Sequence, residues 1–357
     1  MRRFIQKVIY ALLTIFGVVT VIFFLFNVLP GDPAQMMLGQ NQNSEQLATV
    51  KKKYGFDKSL ATQYRYYLND LSPISVHSNS EDDYTYLDES KYNYVSLLEL
   101  TNSTFALKWP YLRESFTKQG KKVSSVLAET LPNTFVLAVS AIIIAIVLGV
   151  LFGIISALNK DTFMDRFIQV FSTLGMSVPS FFSAIIFAWF FGFVLHEYTN
   201  LEMTGSLYEM DDFGERNELK LKNLILPAVV LGIRPLAVVI QLMRNSLLEV
   251  LGQDYIRTAR AKGLNDFQVI KNHALRNALN PVVTAVSGWF ASMLAGAVFV
   301  EYIFGWNGLG KEIVNALNTL DLPVIMGAVL VIAIIFISIN ILVDLIYAWL
   351  DPRVKTN

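Results

Sequence analysis

The sequence predicts an all-α polytopic membrane protein with six transmembrane helices. Apolar residues make up 54% of its 357 residues and charged residues only 16%, whereas a soluble domain carries about a quarter charged residues. Six apolar stretches reach the roughly 20 residues that a helix needs to cross a hydrocarbon layer of about 30 Å. Their predicted bounds are 8–29, 134–158, 167–195, 223–243, 279–304 and 322–350.

The first stretch resembles a signal peptide because Arg2, Arg3 and Lys7 precede it. Its apolar core is too long for one, however, and Pro-Gly-Asp-Pro at 30–33 stands where a cleavage site of small residues would be. The sequence therefore predicts a retained helix.

The orientation of the helices follows from the lysines and arginines of the short loops. Segments 1–7, 159–166, 244–278 and 351–357 together hold 13 basic and 6 acidic residues. The opposite loops, 196–222 and 305–321, hold 4 basic and 9 acidic residues. Both termini are therefore predicted to be cytoplasmic, as an even number of crossings requires.

Three regions are predicted along the chain. Residues 1–29 form the N-terminus and first helix, 30–133 a large extracytoplasmic segment, and 134–357 a core of five helices. Within the outer segment, Asn43 with Gln46, and Gly55, bracket a predicted helix near 44–54, and a second helix is predicted over 61–71.

Residues 72–105 of the outer segment lie outside the motif matches given below, and the resemblance that those matches carry implies that they are an insertion. Residues 74–94 are polar and acidic, which favours a solvated, partly mobile insertion over the alternative, a docking surface for an extracellular partner. Residues 123–131 are predicted to form an amphipathic helix at the outer interface that ends before Pro132.

The cytoplasmic loop 244–278 is too long for a simple connection and has a helical pattern. Residues 254–262 favour a helix that ends at Gly263, and Asn265 is placed to cap a second helix. Basic residues surround small ones, so the loop suits insertion into a groove on a partner. A basic amphipathic loop on anionic lipid headgroups is the alternative.

This loop carries a family resemblance. Arg257-Thr258-Ala259, three residues, Gly263, nine residues and then His273-Ala274-Leu275-Arg276 resemble the EAA signature of ABC importer permeases, in the form found in the peptide/nickel branch. The signature glutamate is replaced by Arg257. Further matches are Leu29-Pro30-Gly31-Asp32-Pro33, Leu131-Pro132-Asn133-Thr134, Phe304-Gly305-Trp306-Asn307-Gly308-Leu309-Gly310 and Leu350-Asp351-Pro352-Arg353.

The resemblance implies a B-type permease subunit of an oligopeptide or dipeptide ABC importer in the plasma membrane of a prokaryote. Such a subunit works with a homologous second permease, two cytoplasmic ATPase subunits and an extracytoplasmic substrate-binding protein. The residues it implies for coupling to the ATPases are Arg257, Thr258, Ala259, Gly263, His273, Ala274 and Leu275. ATP and magnesium would then belong to the partners, with no cofactor on this chain.

One string imitates a nucleotide-binding motif. Gly305, Gly310 and Lys311 match the start of a P-loop, but Glu312 replaces the hydroxyl residue that binds magnesium, and the string follows an apolar span instead of a strand. We interpret it as a tight turn and predict that the chain does not hydrolyse ATP.

Polar or aromatic residues inside the predicted helices are candidates for a translocation path. Arg234 is the strongest, because an arginine near the middle of a membrane helix is costly against lipid. It fits either a substrate carboxylate or a structural role beside Pro235. Gln241, Asn340 and Phe181 are further candidates, and each is equally compatible with helix packing.

The sequence leaves three alternative functions open. Uptake of nickel or a metal–chelator complex is the alternative within the same branch. A stand-alone secondary transporter is the remoter one; it predicts inverted repeats and paired carboxylates inside the membrane. A membrane-anchored sensor leaves five helices unexplained. With no cysteine, three scattered histidines and 29 basic against 29 acidic residues, neither a resident metal site nor a nucleic-acid partner is predicted.

Overall fold

The structure is a computed structural model that describes residues 2–28, 33–38, 43–81, 83–89, 91–118, 120–211, 213–214 and 216–350. The predicted motif residues 29–32 and 351–353 lie outside these ranges. The helices are α1 Arg2–Val28, α2 Pro33–Leu38, α3 Ser44–Tyr54, α4 Leu60–Leu71, α5 Val123–Leu158, α6 Phe163–Ser177, α7 Ser180–Trp189, α8 His196–Thr199, α9 Lys222–Leu251, α10 Asp254–Ala261, α11 Asp266–Val269, α12 Leu275–Ala278, α13 Asn280–Gly296, α14 Val298–Phe304, α15 Leu309–Asn318 and α16 Leu322–Leu350. The strands are β1 Ile74–Ser78, β2 Tyr94–Glu99, β3 Ser103–Lys108, β4 Tyr208–Met210 and β5 Asn217–Leu219. Two π-helical turns, Phe190–Val194 and Ile270–Ala274, follow α7 and α11.

The chain divides into two compact units. The first contains residues 1–129 and 313–333, and the second contains residues 130–312 and 334–357. Each is described by itself below.

The first unit confirms both predicted helices of the outer segment. The side chain of Asn43 accepts a hydrogen bond from the N–H of Glu45 at the start of α3, and Gly55 ends that helix with φ +71°. Helix α4 runs one residue longer at its start than predicted, because Ser59 caps it by accepting from the N–H of Thr62.

The prediction of an all-α chain is wrong for residues 72–108, whereas the partly mobile character of the insertion stays a prediction. They contain an antiparallel sheet with the order β1-β3-β2. Its buried face carries Ser75, His77, Thr104 and Lys108, whereas Ile74 on the opposite face is 64% exposed. Since polar side chains point inward, the usual alternation of apolar and polar residues does not reveal these strands.

A buried carboxylate organises the inner side of this unit. Asp70 is 1% exposed and accepts hydrogen bonds from the hydroxyls of Tyr84 and Tyr92, both at 3.0 Å, and from Nε of Arg113 at 2.9 Å. Lys108 donates to the backbone carbonyl of Asp70. Burial lowers the pKa of Lys108 to about 8, against the opposing effect of the Asp70 charge.

In the second unit, α9 packs against α6, α7 and α13. Helix α5 also approaches α9 closely, because Gly149 and Gly153 face Val239 and Met243 and a Cβ at either glycine would lie 2.6 Å from those side chains. This spacing of small residues is typical of close helix packing in membranes.

Four continuous helices of the described chain are long and apolar enough to cross a membrane, and the number rises to six if each of two bent pairs is one crossing. The first pair, Phe163–Ser177 and Ser180–Val194, bends by 109°, and the second, Asn280–Leu294 and Val298–Phe304, bends by 57°. The predicted crossings over 167–195 and 279–304 therefore correspond to bent pairs of helices in the structure. Pro179, which has no N–H to continue the ladder, lies at the first bend.

Two helix ends also differ from the prediction. Helix α5 begins at Val123 and continues through Pro132, so no separate interfacial helix over 123–131 exists. Helix α9 continues past 243 to Leu251 and contains both Pro227 and Pro235. Membrane helices tolerate internal proline because neighbouring groups satisfy the freed carbonyls.

Candidate coupling loop and polar helix face

The loop after α9 folds as the sequence predicts. Helix α10 ends before Gly263, whose φ of +85° lies in the left-handed region that favours glycine. Asn265 then forms a complete capping box with Gln268 at the start of α11. The chain continues through the π-helical turn Ile270–Ala274, which carries His273, into α12.

One side of this loop is part of an apolar core. Ile256 and Val269 are fully buried, and they pack with Met243 and Leu247 of α9. The other buried members of this cluster are Ala157, Val239, Val250, Ala259, Ala274, Ala278 and Val282. The loop is therefore a packed extension of α9, not a flexible connection.

The predicted coupling residues fall into two groups. Arg257, Thr258, Gly263 and His273 are exposed, and they share the outer surface of the loop. Ala259, Ala274 and Leu275 belong to its inner side: Ala259 is 5% exposed, Ala274 is fully buried and Leu275 is half-buried. Their small or apolar side chains are turned into the core and shape the loop from within, and the coupling role of all seven residues stays a prediction.

The outer surface of the loop is charged and weakly tied together. Arg260 pairs with Asp266 at 3.3 Å across the Gly263 turn, and Arg257 lies 3.5 Å from Asp254. All four side chains are at least half exposed, so each pair contributes only about 0.2–1 kcal/mol. These charges remain accessible to a partner.

Sequence reasoning did not find an ion pair that lies beside this loop. Arg244 of α9 donates two hydrogen bonds of 2.7 Å to the carboxylate of Asp165 of α6, one from Nε and one from a terminal nitrogen. The carboxylate also accepts from the hydroxyl of Ser156 and from the N–H of Asp161. Both residues lie at the same predicted side of the membrane, which is the only signal that could have suggested the pair.

Arg234 and Gln241 lie on one face of α9, because seven residues make almost two full turns. Arg234 is exposed and lies about 18 Å along the helix from Lys222. An arginine facing lipid at such a depth costs at least about 2.5–3.5 kcal/mol on insertion scales. Arg234 lines a small cavity of about 90 Å³ together with Ser180, Ser183 and Ser292.

The other two path candidates are elsewhere in the second unit. Asn340 is exposed on α16 and donates to the carbonyl of Phe336 in its own helix at 2.9 Å, a bond that satisfies a polar side chain locally. The ring of Phe181 lies 6.3 Å from that of Phe299. The structure thus groups Arg234 with Gln241 and does not place Asn340 or Phe181 among the residues that line this cavity.

The glycine turn that imitates a P-loop binds a carboxylate of its own chain. Glu301 is fully buried, and its Oε2 accepts from the N–H groups of Gly310 at 2.6 Å and Lys311 at 3.2 Å. The N–H groups at the start of α15 are those that would otherwise be available to an anion. A Cβ at Gly308 would also collide with this carboxylate.

The same turn is joined to the start of the span in α5. Trp306, fully buried, donates from Nε1 to the carbonyl of Asn133 at 3.0 Å, and Leu309 donates from its N–H to the hydroxyl of Thr134 at 2.8 Å. Asn133 in turn donates to the carbonyl of Asn307 at 2.7 Å. The predicted tight turn is therefore present, and it connects two parts of the sequence about 170 residues apart.

With regard to metals, the part of the chain that the structure describes contains no group of three or more His, Asp or Glu side chains that could hold an ion.

Long apolar helices, two bent helix pairs and a packed basic loop are typical of a multi-pass membrane transport component. The chain belongs to the family of binding-protein-dependent transport system inner membrane components, whose model matches residues 149–356. The N-terminal model of the same kind of membrane component matches residues 1–81. The family resemblance in the sequence is thus confirmed, and the protein is a multi-pass protein of a prokaryotic plasma membrane.

Relatives of this chain are similar from end to end. A peptide permease from Brucella suis is 34% identical over 357 residues, which cover 99% of each chain. The dipeptide transport system permease protein DppB of Alkalihalophilus pseudofirmus is 31% identical, with 98% of both chains covered. The protein with the same description from Bacillus subtilis is 32% identical over 99% of this chain and 98% of its own.

Proposed function

We propose that this chain is a membrane-spanning subunit of an ATP-driven importer that carries dipeptides or oligopeptides into the cell. The observation that supports it best is the similarity over the full length to permeases described as transporting dipeptides or peptides. In this proposal the two bent pairs each make one crossing, which gives six crossings and two cytoplasmic termini.

The proposed partners are a homologous second permease, two cytoplasmic ATPase subunits and an extracytoplasmic binding protein. ATP and magnesium bind to the ATPase subunits, and this chain does not hydrolyse ATP. In favour of this, the N–H groups of the P-loop-like turn are engaged by Glu301, so the turn is not free to receive a phosphate.

Residues 254–276, within the loop 244–278, are the proposed coupling element. ATP-driven movement of a partner can bias the permease only through contacts that differ between its two states. A loop packed onto α9 through Ile256 and Val269 can transmit such contacts, because it moves as one body with that helix. Arg257, Thr258 and His273 offer the exposed polar surface for the partner.

Uptake by cells tests the transported class. Cells that lack this chain should fail to accumulate labelled dipeptides or tripeptides, and the restored gene should return uptake. Labelled nickel, free and as a chelate, is the parallel arm. Uptake of nickel complexes that depends on the chain, without peptide uptake, would overturn the proposal in favour of the metal alternative.

Substitutions at Gly263 test the coupling role. Gly263→Val forces a β-branched residue into φ +85° and should distort the turn, whereas Gly263→Asn keeps a residue that tolerates this region. No atom lies within 4 Å of a Cβ placed there, so neither change creates a clash. We expect the valine variant to lose most peptide uptake and co-purification with the ATPases, and the asparagine variant to retain both. Equal behaviour of the two would contradict the role.

A further inference from the structure

The cavity around Arg234 combines one positive charge with neutral hydroxyl groups. Ser180 and Ser183 come from α7, Ser292 comes from α13, and Trp289 of α13 provides one apolar wall. Its volume of about 90 Å³ equals that of roughly three water molecules. The cavity therefore has room for a small polar group beside the guanidinium.

Nothing in the described part of the chain neutralises Arg234. No carboxylate lies within ion-pair distance of its guanidinium, and no side chain or carbonyl accepts a hydrogen bond from it. The nearby hydroxyls of Ser180, Ser183 and Ser292 carry no charge. Arg234 thus presents five N–H donors and a full positive charge at the middle of a membrane helix.

The same face of α9 continues as a polar strip towards the end of the helix. Gln241, Asn245 and Glu249 follow Arg234 at intervals of seven, four and four residues, which keep the side chains on one side of the helix. Gln241 is partly exposed, and Asn245 and Glu249 are exposed. N-terminal to Arg234, helix α9 is buried and apolar at Pro227, Val230 and Leu231. Of the polar residues in this strip, Arg234 therefore lies farthest from the C-terminal end of α9. The strip is open to water.

We propose that Arg234 binds the C-terminal carboxylate of a peptide in transit. This inference rests on the proposed function, since a free carboxylate is the group that linear peptides share whatever their sequence. The planar guanidinium fits a carboxylate with two parallel hydrogen bonds. Trp289 provides an apolar wall of the same cavity, and the serines supply further donors.

The chain contains no cysteine, so an introduced one is its only thiol. Ser292→Cys places that thiol in the cavity and leaves Arg234 intact. The experiment uses the complete importer in lipid nanodiscs without the binding protein, and a membrane-impermeant charged thiol reagent, with the chains separated on a gel afterwards. Labelling is measured with a millimolar tripeptide, with its C-terminal amide, and with no peptide. Thr101→Cys, at an exposed position in the turn between β2 and β3, is the control.

We expect the free-acid tripeptide to slow labelling of Ser292→Cys at least about fivefold and the amide to have little effect. Adding Arg234→Gln should abolish the protection, Arg234→Lys should retain part of it, and Thr101→Cys should be labelled equally under all conditions. Equal protection by acid and amide, protection that survives Arg234→Gln, or a thiol that never reacts because a neighbouring subunit covers it would each overturn the proposal. Absence of peptide uptake by cells with the unaltered chain would instead refute the proposed function, so the two failures are distinguishable.

Discussion

The carboxylate of Glu301 accepts a 2.6 Å hydrogen bond from the backbone N–H of Gly310. It thereby closes the turn between α14 and α15 around a buried carboxyl group. Among the buried side-chain atoms that the structure describes, Oε1 of the same residue is without a hydrogen-bond partner. The turn is consequently sensitive to any change in the space beside this carboxylate.

Gly308→Ala should therefore destabilise the protein. The added methyl group would overlap the carboxylate of Glu301, and overpacking of this kind costs about 1–3 kcal/mol. The melting temperature of the purified protein in detergent measures the effect. Gly17→Ala is the matched control, because nothing lies within 4 Å of a Cβ there. A melting temperature for Gly308→Ala that equals that of the control would refute the tight turn.

Asp70→Asn should unfold the first unit more easily. The change leaves the buried Arg113 without its counter-charge, and breaking a buried pair in this way costs about 3–5 kcal/mol. Asp57→Asn removes an exposed partner of Lys58 instead and should cost less than about 1 kcal/mol. Limited proteolysis of the full chain, followed at sites in residues 43–118, distinguishes the two; equal protease resistance would contradict the buried network.

The stability of the first unit should rise between about pH 8 and 10.5. Burial lowers the pKa of Lys108 to about 8 from its ordinary 10.5, so within this range the unfolded chain binds more protons than the folded one, and stability rises with pH. Burial also raises the pKa of Tyr67 from 10.0 to about 12. Between these two pH values the folded chain binds more protons than the unfolded one, so stability falls as pH rises.

Melting temperatures of the full protein from about pH 7 to 11 test this behaviour. Lys108→Met should remove the rising part of the curve and leave the fall above pH 10. A rise that persists in the methionine variant must come from another group and would refute the assignment to Lys108.

Arg244→Lys should weaken the junction between α6 and α9 although it preserves the charge. Lysine cannot reproduce the two parallel hydrogen bonds of 2.7 Å to Asp165. We expect a loss of about 1–3 kcal/mol in the free energy of unfolding, in the range of hydrogen bonds to charged groups. Arg166→Gln, at an exposed position of α6, should have almost no effect on the same measurement.

The features that could be predicted from the sequence are those that depend on residues close together in the chain. Helix ends could be predicted at Asn43, at Gly55 and at the pair Asn265–Gln268, because capping depends on residues a few positions apart. Length and hydropathy identify the apolar segments, but not the 109° bend after Ser177. A bend depends on what packs against the helix as well as on the proline itself.

Two further features could not be predicted, for opposite reasons. The strands of the outer segment escape notice because His77 and Lys108 point inward, where apolar residues are expected. The ion pair between Arg244 and Asp165 joins positions 79 residues apart, and no local pattern links them. For the candidate site, the sequence identified Arg234 and the loop, whereas the serines around Arg234 became apparent only once α7, α9 and α13 were placed together.

The close approach at Gly149 and Gly153 has a mechanical consequence. With no side chain between α5 and the residues Val239 and Met243, the two helices have no room to slide past each other. A displacement of α9 would then be passed directly to α5. Since Asn133 of α5 accepts a hydrogen bond from Trp306, the rigid contact reaches from Met243 at one end to the glycine turn at the other.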